Sequence, residues 1–296
     1  MKTVTVGNFD GIHRGHLQVV SRAGEGAGET VPVCFEPVTR QYFSGNGWHR
    51  RLTTAWERYR LFKDLGMERL VVVPFHPETV EQEPDEFLRC LHRREGFDRI
   101  VVGYDFHFGR NRSGTVEYLS RWCTSRGIDT IIVPPLEIRG EPVKSERIRR
   151  LLERGEMENA EELLGRPYSL TGAVARGKGL GRKLGYPTLN LRVPGCKLLP
   201  RSGSYRGLVH SGDEQEPMPA AVFVPETVTG PVEACIPDRR LKDSYGSLAR
   251  VELQSRIRSK ADPVTAGELK ELIAGDIEVV RRAKESRKGR MEDPER

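Results

Sequence analysis

In the first half of the chain, short apolar runs alternate with amphipathic stretches, one pair in roughly 30 residues, and this constrains the fold more than any other feature. KTVTV (2–6), VPVCF (31–35), RLVVVPF (69–75), RIVVG (99–103) and TIIVP (130–134) read as strands. HLQVVSRAG, TTAWERYRLFKDLG, PDEFLRCLHRREG and TVEYLSRWCTSRG read as the helices between them. The second of these helices places Trp56, Tyr59, Phe62 and, less regularly, Leu65 on one face, and Gly66 is placed to end it. Pro84 suits the first turn of the next helix. Regular strand–helix alternation predicts an α/β architecture with a doubly wound, mostly parallel, Rossmann-like sheet.

The pattern then changes twice. From Ser145 it is helical, through SERIRRLLERG and EMENAEELLG. After Pro167 it becomes rich in glycine and proline, with ten glycines from Gly165 to Gly212 among short strand candidates such as SLTGAVA and RGLVH. VEACI and ARVELQSRI continue the series, which predicts a small β-barrel or sandwich closed by a helix near TAGELKELIAGDIEVVRRAKE. The compositional break predicts domains at 1–165 and 166–284, followed by a charged, disordered tail at 285–296. Residues 281–296 carry seven basic and four acidic side chains, which is half of the net charge of +6. The remaining excess is too mild for a nucleic-acid-binding surface, and no aromatic RNA-binding motif accompanies it.

The longest apolar runs fall far short of the roughly 20 residues a membrane helix needs, and no apolar leader opens the sequence. A cytoplasmic, membrane-free protein is expected. Five scattered cysteines with no Cys-x-x-Cys pair (Cys34, Cys90, Cys123, Cys196 and Cys235) argue against a disulfide framework or a zinc site, and are expected to be buried and inert.

GNFDGIHRGH (7–16) follows the first strand and leads into the first helix. In a doubly wound sheet, ligands gather beyond the carboxyl ends of the strands. A helix N-terminus there offers free N–H groups to a phosphate. His13 and His16, three apart, share one helical edge, and Gly15 leaves room for close approach. The bland alternative is a helix cap with incidental histidines. Further along, GAVARGK (172–178) nearly spells a P-loop, but Gly179 stands where Ser or Thr is required, and Gly181, Gly185 and Pro187 would break the following helix. A glycine-rich flap whose N–H groups line phosphates fits better.

These segments resemble the bacterial bifunctional riboflavin kinase/FMN adenylyltransferase family. GNFDGIHRGH is similar to the His-x-Gly-His loop of its adenylyltransferase module, within the nucleotidyltransferase superfamily. FEPVTRQYF (35–43) resembles its flavin-side Phe-Asp-Pro loop, with Glu36 in place of Asp. GYDFHFGRNRSG (103–114) resembles its Gly-x-Asp-Phe-x-Phe-Gly segment. KSERIR (144–149) sits where the family reads Ser-Ser-Thr-Arg-Ile-Arg, so Lys144 and Glu146 are departures. The resemblance assigns His13, His16, Ser145 and Arg147 to the ATP polyphosphate. It adds Gly7, Asn8, Asp10, Gly15 and Asp105 as binding residues, with Asp105 ordering its loop. Phe106 and Phe108 are either flavin-side residues or core.

GRKLGYPTLN (181–190) is similar to the opening of the riboflavin kinase module, with Tyr186 in place of Phe. By that resemblance Thr188 and Asn190 hold Mg²⁺, Gly177, Lys178, Gly181, Gly185 and Pro187 bind nucleotide, and Glu233 of VEACIPD is the base for the riboflavin hydroxyl. Read by itself, Glu233 is an ordinary outward-facing strand carboxylate. PRSGSY (200–205) and DSYG (243–246) echo further family turns. AAVFVPETV (220–228) departs from its Asn-Ile-Gly-x-x-Pro-Thr segment, with Phe223 for Asn and Pro225 for Gly, and Cys235 replaces a histidine.

The expected function is therefore FAD biosynthesis by an enzyme that takes ATP, riboflavin and FMN, with the oligomeric state left open. Two rivals stand beside it: an adenylyltransferase with a degenerate kinase module, and a flavin- or nucleotide-binding regulator without turnover.

Overall fold

The structure is a computed structural model that describes residues 1–26, 28–44, 50–177, 179–212, 216–237, 245–262 and 265–291, the last eight by backbone alone. Lys178 and residues 243–244 of DSYG lie outside the described residues. The chain divides into two compact units, Met1–Arg147 and Ile148–Arg296.

The first unit is built from β1 (Lys2–Val6), α1 (Arg14–Ala23), β2 (Glu29–Glu36), α2 (Thr39–Phe43), α3 (Ala55–Asp64), β3 (Val71–Pro74), α4 (Pro77–Val80), α5 (Pro84–Glu95), β4 (Arg99–Gly103), α6 (Val116–Thr124), β5 (Asp129–Val133) and the small hairpin β6 (Glu137–Ile138) and β7 (Glu141–Pro142). The main sheet runs β3-β2-β1-β4-β5, with every pair parallel. Strand order reverses between β1 and β4, so the crevice beyond their carboxyl ends is the place for a ligand.

The central strands are buried on both faces, and alternate residues face one core or the other. Val4, Val6, Val31, Val33, Phe35, Ile100 and Val102 pack with Phe87, Leu88 and Leu91 of α5 and Leu119 and Trp122 of α6. On the opposite face Cys34 packs with Val20 of α1 and Phe62 of α3, and Val101 packs with Val19 and Ala23. Helices on both faces make the sheet doubly wound, as expected.

The face of α3 that carries Trp56, Tyr59, Phe62 and Leu65 is mostly turned outward. Phe62 is buried, but Trp56, Tyr59 and Leu65 are exposed, and the helix buries Glu57 and Arg58 instead. The cause is Arg58. Its guanidinium donates to the carbonyls of Asn8 and Phe35 (3.1 Å each) and to the Glu36 carboxylate (2.7 Å), rotating a polar face inward. Apolar spacing cannot foresee this. The same helix begins with a capping box, in which Thr54 Oγ1 accepts from Glu57 N–H and the Glu57 carboxylate accepts from Thr54 N–H (2.9 Å).

The second unit takes most of α7 (Ser145–Arg154), then α8 (Met157–Leu164), β8 (Tyr168–Ala175), α9 (Leu180–Lys183), β9 (Thr188–Arg192), β10 (Gly203–Ser211), β11 (Met218–Val224), β12 (Val232–Cys235), β13 (Leu248–Ser259) and α10 (Ala266–Met291). Residues 148–164, grouped with the first half by composition, thus pack in the second unit. The strands close an antiparallel barrel in the order β10-β11-β12-β9-β8-β13. Close strand approach accounts for part of the glycine content: a Cβ on Gly207 would lie 2.3 Å from the Glu252 carbonyl. The helix α10 lays Ile277 and Val280 on Ala221 and Cys235, and Asp276 receives both ends of the Arg258 guanidinium (2.8 and 2.9 Å). It continues to Met291, so it takes in part of the segment expected to be a disordered tail; residues 292–296 lie outside the described residues.

Of the cysteines expected to be buried, Cys34, Cys123 and Cys235 are, whereas Cys90 faces outward on α5 and Cys196 is half-buried. Thr54→Ala removes the acceptor of the capping box, and urea denaturation of the first unit should show a loss of about 1 kcal/mol.

Candidate active sites

The first site forms where β1 ends. Phe9 and Ile12 take positive φ (48° and 38°) around Gly11, and both are held in that conformation by burial in the α1–α3 core. The loop leads into α1 with His13 as its N-cap: His16 N–H donates to His13 Nδ1 at 3.2 Å. An Nδ1 that accepts leaves the ring proton on Nε2, facing away from the helix. The two imidazoles stack with centroids 3.6 Å apart and planes at 15°. His13 thus caps α1, and the two rings lie together on one helical edge.

Other predicted residues of this loop serve its architecture. Asn8 exchanges two hydrogen bonds with Thr39, at the backbone N–H (3.0 Å) and Oγ1 (2.9 Å), and so ties the loop to the start of α2. Asp10 is buried and accepts from Thr53 N–H (3.0 Å) and Oγ1 (3.3 Å). Gly7 makes room for the Phe9 ring, 3.2 Å from where a Cβ would stand. A Cβ on Gly15 would meet the His13 ring and the Val143 carbonyl at 3.3 Å, so tight packing there also favours glycine.

Two further segments arrive at the same crevice. Ser145 Oγ donates to the Asp10 carbonyl (2.8 Å), which fixes the start of α7 against the histidine loop. Arg147, expected at the polyphosphate, is engaged within the chain. It donates to the carbonyls of Ile138 and Glu141 (3.0 Å each) and pairs with the Glu141 carboxylate (3.2 Å), holding the β6–β7 hairpin. Asp105, after β4, is exposed, with Lys144 Nζ 3.8 Å away. Phe108 is buried and Phe106 half-buried, stacked with centroids 5.3 Å apart, so this pair belongs to the core.

The sequence reading missed Arg51 and Arg58. Both are almost wholly buried and converge on Glu36, each at 2.7 Å, locking the loop that leads to α2. Nothing in their spacing announces the pairing, which depends on β2 and α3 lying side by side.

The second site is a row across the barrel wall. Phe223 pairs with Glu233, Glu233 with Asn190, and Asn190 with Ala175. The neighbouring row places Thr188 opposite Cys235 and Cys235 opposite Ala221. Residues directly opposite share a face, and so do residues two apart along a strand. Thr188, Asn190, Glu233 and Phe223 therefore share the outer face, on which α10 packs through Cys235 and Ala221. The alternate residues Val174, Leu191 and Val232 are buried inside. Asn190 Nδ2 lies 3.3 Å from the Thr188 carbonyl and 3.5 Å from its Oγ1.

The flap before this row is compact. The four-residue α9 confirms that no P-loop helix follows the glycines. Gly177 leaves the space that Asn190 occupies, since a Cβ would stand 2.5 Å from the amide. A Cβ on Gly181 would stand 2.4 Å from the Tyr186 carbonyl, and Gly185 takes φ 90° at the turn before Pro187.

Neutral oxygens of Thr188 and Asn190 beside one carboxylate suit a hard cation that takes its remaining ligands from phosphate. No cluster of three or more His, Cys, Asp or Glu able to hold a metal occurs among the described residues.

Fold and sites together define a nucleotidyltransferase-like unit followed by a flavokinase-type barrel, and similarity searches agree. The FAD synthetase family model matches residues 1–147 and the riboflavin kinase family model residues 164–284. A bifunctional riboflavin kinase/FMN adenylyltransferase of Pseudomonas fluorescens is 31% identical over 94% of this chain and 91% of its own length. One from Escherichia coli K12 is 30% identical over 92% and 90%. A Streptococcus pneumoniae crystal structure, named as a macrolide-efflux protein, superposes with a TM-score of 0.82 at 28% identity, covering 95% of this chain and 93% of that one. Among the described residues no helix is long and apolar enough to cross a membrane. The chain belongs to the bifunctional riboflavin kinase/FMN adenylyltransferase family.

Burial pushes the Cys235 thiol up from its ordinary 9.0 to about 11. Folding thus favours the protonated thiol; its contribution is complete below pH 9 and is lost as pH rises to about 11. Stability of the second unit, followed by denaturant melts across that range, should fall more steeply in the wild type than in Cys235→Ala.

Proposed function

We infer that this chain makes FAD in two steps, phosphorylating riboflavin to FMN in the second unit and adenylylating FMN in the first. The observation that carries this reading is the coexistence of two separate phosphate-handling sites, the stacked His13–His16 pair beyond β1 and the Thr188–Asn190–Glu233 row on the barrel.

In adenylyl transfer an FMN phosphate oxygen attacks the α-phosphorus of ATP, and the bond to the bridging oxygen breaks to release pyrophosphate. The nucleophile is already ionised near neutral pH, so the protein has to align the groups and neutralise charge growing on the leaving group. His13 Nε2–H and the His16 ring donate toward the phosphates, aided by free N–H groups at the start of α1. Ser145 adds a hydroxyl at the same crevice. Arg147 bounds the site by fixing the β6–β7 hairpin, and Asn8, Asp10 and Asp105 order the surrounding loops.

Kinase chemistry differs because the riboflavin 5′-hydroxyl must lose its proton as it attacks the γ-phosphorus, while the bond to the β,γ-bridging oxygen breaks and ADP leaves. Glu233 is the base in this reading. Thr188 and Asn190 would hold Mg²⁺, which supplies charge neutralisation on the ATP phosphates. Gly177, Gly181, Gly185 and Pro187 shape the flap over them, with Lys178 assigned to the same nucleotide. The replacement of a family Asn by Phe223 beside Glu233 leaves the base and both oxygen ligands in place, which supports an active kinase over a degenerate one.

Chromatography of products formed from Mg-ATP with riboflavin or with FMN tests the two assignments separately. His16→Ala should lose FAD formation by at least two orders of magnitude and keep FMN formation; Glu233→Ala should do the reverse. A wild type that converts FMN and never riboflavin would remove the kinase assignment. Binding of either flavin without any turnover would favour the regulator. His13→Asn refines the first site, because asparagine still caps α1 while the Nε2 donor is gone. This variant should melt within a few degrees of the wild type and still fail to make FAD.

A further inference from the structure

Among the described cations around the first site, Arg40, Arg51, Arg58, Arg147 and Lys144 are held by their partners to very different degrees. Arg51 and Arg58 are buried on Glu36, Arg40 pairs with Glu146 at 2.6 Å, and Arg147 combines a carboxylate with two carbonyls. Lys144 is held far more loosely. Its Nζ lies 3.8 Å from Asp105 Oδ2, both side chains are more than half exposed (51% and 58%), and the Tyr104 ring centroid is 5.6 Å away. An exposed pair at that separation contributes little, so exchanging Asp105 for another anion costs little.

The backbone around Lys144 is fixed. The Val143 carbonyl lies against Gly15, and Ser145 Oγ is bonded to the Asp10 carbonyl, so residue 144 stands at the rim of the crevice between β1 and β4. We propose that Lys144 is a pyrophosphate-side catalytic residue: its ammonium exchanges Asp105 for phosphate oxygens of ATP and takes up charge on the departing pyrophosphate. Asp105 is then the counter-ion that parks the lysine between turnovers. The proposal rests on the adenylyl-transfer reading of this site.

The test uses the full chain, with pyrophosphate as the probe. Calorimetric titration should show pyrophosphate binding weakened on the order of 10-fold in Lys144→Gln and largely retained in Lys144→Arg. In Asp105→Asn it should strengthen, because a competing anion is gone. In steady-state FAD formation, Lys144→Gln should raise KM for ATP and weaken product inhibition by pyrophosphate, while FMN formation from riboflavin stays at the wild-type rate. Pyrophosphate affinity in Lys144→Gln within twofold of wild type overturns the proposal, and so does equal loss in the glutamine and arginine variants. Absence of FAD formation in the wild type would count against the adenylyl-transfer reading, whereas the binding comparison still decides whether Lys144 meets pyrophosphate.

Discussion

The buried guanidinium of Arg58 organises the first unit. From α3 it reaches the Asn8 carbonyl in the loop after β1, the Phe35 carbonyl near the end of β2 and the Glu36 carboxylate, which Arg51 also grips. Two buried cations on one half-exposed carboxylate are costly to desolvate, and removing one partner of such a group costs about 3–5 kcal/mol. Hydrogen bonds from Arg58 to the Asn8 and Phe35 carbonyls offset part of that cost. In return, three segments distant in sequence become one rigid rim, and the histidine loop and the loop to α2 keep a fixed separation. The positive φ of Phe9 and Ile12 persists for the same reason, since the loop has no freedom to relax.

Much of this was legible in the residues. Strand periodicity located KTVTV and RIVVG to the residue, because a strand buried on both faces leaves little choice of boundary. The histidine loop was legible because its position after the first strand, and not its letters alone, marks a ligand crevice. What escaped was whatever depends on partners far apart in the chain. The inward turn of α3 is set by Glu36 and Asn8, so Trp56 and Tyr59 lie outside despite their helical spacing. The bonds of Arg147 to the β6–β7 hairpin were equally hidden, because two-residue strands are too short for any periodicity signal.

The second unit shows the same limit in a sheet. Its strands were visible as glycine-separated runs, but the site depends on register. Only the pairing of β9, β11 and β12 brings Phe223, Glu233 and Asn190 into one line. The resemblance to a family supplied the roles; the ladder supplies the reason those roles can be filled together.

That line lies on the outer wall of the barrel, with a dry row of Val174, Leu191 and Val232 behind it. Val174, Leu191 and Val232 fill the inner face, while the outer face combines the polar Thr188, Asn190 and Glu233 with the Ala221–Cys235 patch that α10 covers. Substitutions on the outer face can accumulate without opening a void in the lumen, and Phe223, where the chain departs from the family pattern, lies on that face. Away from the Ala221–Cys235 patch under α10, that wall can change without disturbing the apolar row behind it, which makes it the natural surface on which to re-engineer specificity.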